Sequence, residues 1–139
     1  MFNHIMAPVD LAHIDTLKRA LEVTADAARH YGAKVTFVSA TTALPGAIAH
    51  TPDEFRQKLA DFAETQGRQN AYEASSHALV LHDQAVDLDH ALLKAVGVIG
   101  ADLVIMASHK PSIADYFWSS NGGAVAEHAD CSVMIVREA

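Results

Sequence analysis

The chain has 139 residues, half of them apolar, with a formal net charge of −7 and a single cysteine. That is enough chain and apolar side chain for one domain with a proper core, and it excludes a disordered or disulfide-stapled protein. No cluster of Lys and Arg occurs, so an electrostatic footprint for nucleic acid is missing, and an acidic surface disfavours an anionic membrane.

HIMAPVD, residues 4–10, is a short apolar run that closes in a turn and reads as a first strand. Asp15 or Thr16 stands where a helix cap belongs, and Ile14, Leu17, Leu21, Ala25 and Ala28 then recur at helical spacing up to Gly32, a left-handed terminator. KVTFVSA, residues 34–40, is β-branched and aromatic and predicts a second strand; residues 41–50, with Pro45-Gly46, read as loop. Thr51-Pro52-Asp53-Glu54 starts a helix with a cap, a proline at its first position and a capping-box glutamate. Phe55, Leu59, Phe62 and Ala63 form its buried stripe, and the pattern carries it to about Ser76, with Gly67 as a weak point.

ALVLHDQ, residues 78–84, predicts a third strand, and Asp87 or Asp89 opens a helix that runs through Leu92, Leu93, Val96 and Ile99 to Gly100. DLVIMAS, residues 102–108, is apolar from Leu103 to Ala107, the pattern of a strand buried on both faces. Residues 120–129 predict a short helix and 131–137, CSVMIVR, a last strand. Strict β-α alternation implies an α/β fold: one open parallel sheet of five strands, right-handed crossovers and helices on both faces. Ligands in such sheets sit beyond the carboxyl ends of the strands, where the strand order reverses. The loops of interest are therefore Pro8–His13, Ala40–Ala49 and Ala107–Ser120.

Several chemistries are excluded by motif. There is no GxxxxGK[ST], no GxGxxG after the first strand and no G-x-S-x-G, so a P-loop, a dinucleotide fold and an α/β-hydrolase elbow are all missing. Nine histidines are many, but none has HExxH spacing and one cysteine makes no zinc knuckle; they read as surface and helix-end residues, His109 excepted because of its loop. Cys131, before an apolar strand, reads as an inert thiol suited to a reducing compartment. Tyr116-Phe117-Trp118 reads as a packing trio rather than a base-stacking platform. The opening MFNHIMAPVD lacks a signal peptide's charged start and long apolar run, and no stretch is long enough to span a bilayer. The expectation is a cytoplasmic protein without membrane insertion.

MASHKPSIADYFWSSNGG, residues 106–123, carries the sharper signal. Small residues at a helix start leave free N–H groups at the positive end of the helix dipole, a place for phosphate, while Ser119 or Ser120 can equally cap the helix. Together with PVD at the end of the first strand, GAD before the fourth and HADCSVMIVR at the last, this stretch makes nearly the whole chain resemble the universal stress protein family. Nucleotide-binding members of that family carry G-x2-G-x9-G-[ST] from the fourth strand into the last helix. Here Ala107, Lys110 and Ser119 replace the glycines and the spacer is one residue shorter. Lys110-Pro111-Ser112-Ile113 and Ser119-Ser120-Asn121 are similar to a subgroup with N-P-S-I and G-S-N in this loop.

The resemblance implies one domain over residues 1–139, strand order 3-2-1-4-5 and the adenine nucleotide alpha hydrolase-like architecture. It implies an adenine-nucleotide site: Pro8, Val9 and Asp10 beside the adenosine, Ala40 reading adenine through its backbone, and Met106 and Ala107 at ribose and base. His109, Lys110, Ser119, Ser120, Asn121 and Gly122 would then hold the phosphates. ATP, with Mg2+, is the expected ligand. Asp10 at a strand end can alternatively cap the next helix. It suits a ribose hydroxyl and repels phosphate, which places the phosphates on the Ser119–Gly122 side. The resemblance further implies a regulatory homodimer through the edge strand Ser132–Val136, acting on an unidentified partner protein. The alternative is a member without nucleotide that serves as a dimeric interaction module. No positioned base or metal-binding pair beyond Asp10 is apparent, so any ATP hydrolysis would be weak.

Overall fold

The computed structural model describes residues 1–46, 48–82, 84–108 and 121–138, the side chains of 84–87, 121 and 122 apart. In chain order the elements are β1 (His4–Pro8), a 3-10 segment (Leu11–Leu17), α1 (Lys18–Tyr31), β2 (Lys34–Thr42), α2 (Pro52–Asn70), β3 (Ala74–Leu81), α3 (Gln84–Ile99), β4 (Leu103–Ser108), α4 (Asn121–His128) and β5 (Ser132–Arg137). The five strands form one parallel sheet in the order β3-β2-β1-β4-β5, as the sequence predicts.

Alternation along the strands divides the core into two layers. Ile5, Ala7, Val35, Phe37 and Ile105 pack with Leu17, Ala20 and Ala28 from the first helical region and Leu59 and Ala63 from α2. Met6, Val38, Val104 and Met106 face the other way, against Leu88, Leu92, Ala95 and Val96 of α3 and Val125 of α4. β4 is buried at every position from Leu103 to Ala107, which explains its unbroken apolarity.

Element boundaries differ from the sequence reading where tertiary contacts outweigh local pattern. The first strand stops at Pro8, and the element after it is capped by Asp10 rather than by Asp15 or Thr16. The Asp10 carboxylate lies two residues from the Ala12 N–H and accepts from it at 3.0 Å, while the Thr16 hydroxyl donates to the carbonyl of His13. Thr51 caps α2 as expected, accepting from the Glu54 N–H at 3.1 Å; Glu54 reaches back one residue further, to the N–H of His50. α3 begins at Gln84, ahead of Asp87 and Asp89, α4 spans Asn121–His128, and β5 begins at Ser132, one residue later than read, and ends at Arg137 as expected. Gly32 and Gly100 are left-handed, at φ 65° and 76°, and each donates its N–H back into the helix it ends.

The largest difference lies between α2 and β3. The helix ends at Asn70, not Ser76, and Ala74–Ser76 are strand instead of helix. Eight consecutive pairs with β2, Val35–Ala74 through Thr42–Leu81, outweigh the helical preference of the alanines. Ala71 makes the turn in the left-handed region, at φ 59°, unusual for a residue with a side chain. Gly67 is no weak point. It is buried, and a Cβ there would stand 2.7 Å from the Tyr72 carbonyl oxygen and 2.9 Å from the Ala74 Cβ. The returning chain needs that missing side chain. Gly67→Ala, an improvement in an isolated helix, should therefore destabilise the protein by about 1–3 kcal/mol, read as a lower urea midpoint; a gain in stability would refute this account of the turn.

Candidate functional site

β1 lies between β2 and β4, so the chain leaves β1 and β4 in opposite directions across the sheet, and a crevice opens beyond their carboxyl ends. The loop after β1 and the loop after β2 border a cleft of about 310 Å³ at this end of the sheet. Asp10, Leu11, Ala12 and His13 form one wall, and Ala40–Thr42 with Leu44, Pro45, Gly46, Ile48 and Ala49 form the other; buried Phe55, from the first turn of α2, completes the lining.

The first wall is tied to itself. Val9 extends the β1–β2 ladder by one bond, its N–H donating to the Val38 carbonyl at 2.8 Å, and this fixes where Asp10 emerges. One carboxylate oxygen of Asp10 accepts from the Ala12 N–H, and the other lies 2.8 Å from His13 Nδ1. The His13 backbone leaves helical geometry, at φ −135° and ψ 38°, while its N–H still donates to the Asp10 carbonyl. Asp10 is thus largely buried, at 15 % side-chain exposure against 41 % for His13. The second wall is braced by Gly46 N–H donating to the Ala49 carbonyl at 2.9 Å and by the Lys58 ammonium on the Ile48 carbonyl.

Of the residues expected at the site, Asp10 and Ala40 line the cleft. Pro8 and Val9 are buried directly behind it. Met106 and Ala107 end β4 at 1 % and 6 % exposure, one facing each layer of the core. Ala107 keeps strand conformation, so the methyl that replaces a glycine there brings no backbone strain. His109, Lys110, Ser119 and Ser120 lie outside the described residues, as do the aromatic trio 116–118 and the side chains of Asn121 and Gly122, whose backbone forms the first turn of α4.

Sequence reading placed His13, Thr41 and Thr42 within the loops of interest without naming them as site residues, and it missed Phe55 as a lining residue. Phe55 was legible only as core. Asp10 does serve as a cap, one of the two roles open to it. A carboxylate offers about four acceptor positions, so the two contacts described leave it able to take a hydroxyl donor as well. The volume is at the small end of ligand clefts, which run from roughly 300 Å³ upward. The donors and acceptors present fit a nucleoside: one carboxylate for hydroxyls, the backbone groups of Ala40–Thr42 for a base edge, and an aromatic and aliphatic surface beside them. Among the described residues no three His, Cys, Asp or Glu side chains come together as a metal site. Burial pushes the Cys131 thiol above its ordinary range.

The architecture and the position of the cleft define a class, the α/β proteins with a crevice at the switch point of an open parallel sheet. A sequence model described as the universal stress protein family matches residues 1–137, and the chain belongs to that family. Among solved structures it is similar to a universal stress protein from Archaeoglobus fulgidus, at 20% identity and a TM-score of 0.70, with 97% of this chain and 98% of that one covered. The universal stress protein from the same organism in complex with dAMP aligns at 19% identity and a TM-score of 0.66, with 96% of each chain covered. A universal stress protein family protein from Arabidopsis thaliana with AMP bound aligns at 14% identity and a TM-score of 0.66, over 99% of this chain and 92% of that one.

Because Asp10 holds the first wall through two contacts, Asp10→Ala should cost about 1 kcal/mol of stability. Asp10→Asn, which keeps an acceptor for Ala12, should lose less. Equal urea midpoints for wild type and Asp10→Ala would remove the capping role.

Proposed function

We propose that this chain binds an adenine nucleotide, most simply ATP with Mg2+, in the cleft beyond β1, β2 and β4, and works as a small regulatory protein in the cytoplasm. The observation that carries the reading is the cleft itself: it lies beyond the carboxyl ends of β1 and β2, beside the switch point, is of nucleoside size, and has Asp10 and Ala40 on facing walls. Membership of the family and the similar structures in complex with dAMP and with AMP support it.

In this reading Asp10 accepts from the ribose, held in place by Ala12 N–H and His13, and the backbone at Ala40 meets the adenine edge. Pro8, Val9, Met106 and Ala107 form the rigid rear wall. His109, Lys110, Ser119, Ser120, Asn121 and Gly122 take the phosphates, away from the Asp10 carboxylate. The loop likeness to the N-P-S-I and G-S-N subgroup belongs to this proposal. Stoichiometric ATP, ADP or AMP is expected by mass spectrometry of small molecules released from denatured, undialysed protein. Ser120→Asp should weaken ATP binding at least ~10-fold through charge repulsion at the helix start. An empty protein that also takes up no added ATP with magnesium in a calorimetric titration would remove the nucleotide.

A second reading, an interaction module without nucleotide, draws on the replacement of three motif glycines by Ala107, Lys110 and Ser119 and on the existing partners of Asp10. Both readings include a homodimer through β5. That strand is an edge of the sheet, and Met134 and Ile135 on it are 43% and 38% exposed. Beyond it Glu138 still donates its N–H to the Ser108 carbonyl of β4 at 3.2 Å, and its carboxylate accepts from the N–H groups of Arg19 and Ala20 at the start of α1. Light scattering at micromolar concentration should give twice the chain mass; a monomer would exclude this assembly.

A further inference from the structure

β3 is the other edge of the sheet, and its construction differs from that of a protected edge. Edge strands are ordinarily blunted by charge, proline, a bulge or shortness. β3 reads ASSHALVL, with no charge and no proline, and keeps eight residues in unbroken register with β2. The Val35 N–H donates to the Glu73 carbonyl at 2.9 Å, which fixes the phase of the ladder. Odd-numbered residues of the strand turn their backbone groups to β2, and Ala74, Ser76, Ala78 and Val80 turn theirs outward.

A groove of about 300 Å³ follows this edge, with β3 on one side and α3 on the other. Its lining is mainly apolar: Leu79, Val80, Ala91 and Val98, of which Val80 and Val98 are 38% and 66% exposed. His77 and Lys94 are the titratable groups that line it, and no carboxylate does. Lys94 is exposed and has no ion pair among the described residues. A row of open backbone donors and acceptors beside a helix, with apolar hollows between, suits an added strand: main-chain bonds supply affinity and alternate side chains enter the groove.

We propose that the β3–α3 groove binds an extended acidic segment of a partner protein, with alternate apolar residues against Leu79 and Val98 and a carboxylate on Lys94. Charge selects this occupant. A second copy joined edge to edge would present the same patch to itself and bring two Lys94 ammonium groups toward one axis. The chain's overall charge of −7 is spread over its surface and charges beyond about 10 Å are largely screened at 0.1 M salt, whereas the groove lining itself carries Lys94 and no carboxylate. The site is separate from the nucleotide cleft and does not depend on it.

The test uses fluorescein-labelled peptides of alternating valine and glutamate, or valine and lysine, titrated with the full chain at 0.1 M salt and followed by anisotropy. The glutamate peptide should bind at least ~10-fold more tightly than the lysine peptide. Lys94→Glu, at an exposed helix position, should reverse that order with an unchanged circular dichroism spectrum. Hydrogen exchange should slow at the amides of Ser76, Ala78 and Val80 when the glutamate peptide is added. Equal binding of the two peptides, an unaltered order in Lys94→Glu, or protection confined to other amides would each overturn the proposal. Protection of those amides that rises with protein concentration and without peptide would give the groove to a second copy, and would overturn it as well.

Discussion

The fold depends on β1 being paired on both sides. Its five residues bond to β2 along their whole length and to β4 at Ile5 and Met6, and no outer strand could close the sheet without them. The join to β4 is made by one residue outside either strand. Asp102 donates its N–H to the His4 carbonyl at 3.0 Å, and its carboxylate accepts from the N–H groups of Asn3 and His4. Burial raises the Asp102 pKa, but those backbone N–H groups outweigh it and hold the carboxyl below its ordinary range. The charged form is therefore the one that holds β1 to β4. Acid removes that contribution as pH falls through the lowered value. With β1 fixed, the strand order reverses beside it and the crevice has its place.

What borders the crevice is a pair of loops that carry their own internal bonds. The turn after β1 is held by Asp10, Ala12 and His13, and the loop after β2 is pinned to α2 through Lys58. The main lining group is consequently positioned before any ligand arrives, which lowers the ordering cost of binding. The same bonds tie Asp10 to the turn that presents it, so an alteration of its carboxylate also disturbs that turn.

The two edges of the sheet are built on different terms. β5 is short, shows Met134 and Ile135, and is followed by a residue that caps α1. β3 is longer and uncharged and lies beside a groove whose lining carries a lysine and no carboxylate. An edge that repeats itself across a two-fold axis favours a like copy, whereas an edge beside a one-signed groove favours an unlike partner. The sheet thus has two unlike edges and, apart from both, a cleft beyond the carboxyl ends of β1 and β2.

The sequence by itself determined the alternation of elements, the buried β4, the glycine and threonine helix ends and the family. Each of these is written in local pattern: apolar period, unbroken apolar run, cap and terminator residues. It also pointed to the loops after β1 and β2, which border the cleft, because strand ends in an open parallel sheet are where ligands collect. Only the tertiary structure decided that Ala74–Ser76 are strand, since pairing with β2 outweighs a helical composition. It alone gave Gly67 its purpose, because the atoms that would meet a Cβ come from residues beyond the turn. It alone brought His13 and Phe55 to the cleft, and left β3 open beside Lys94, because which side chains share a face across separate elements is fixed by packing and not by spacing along the chain.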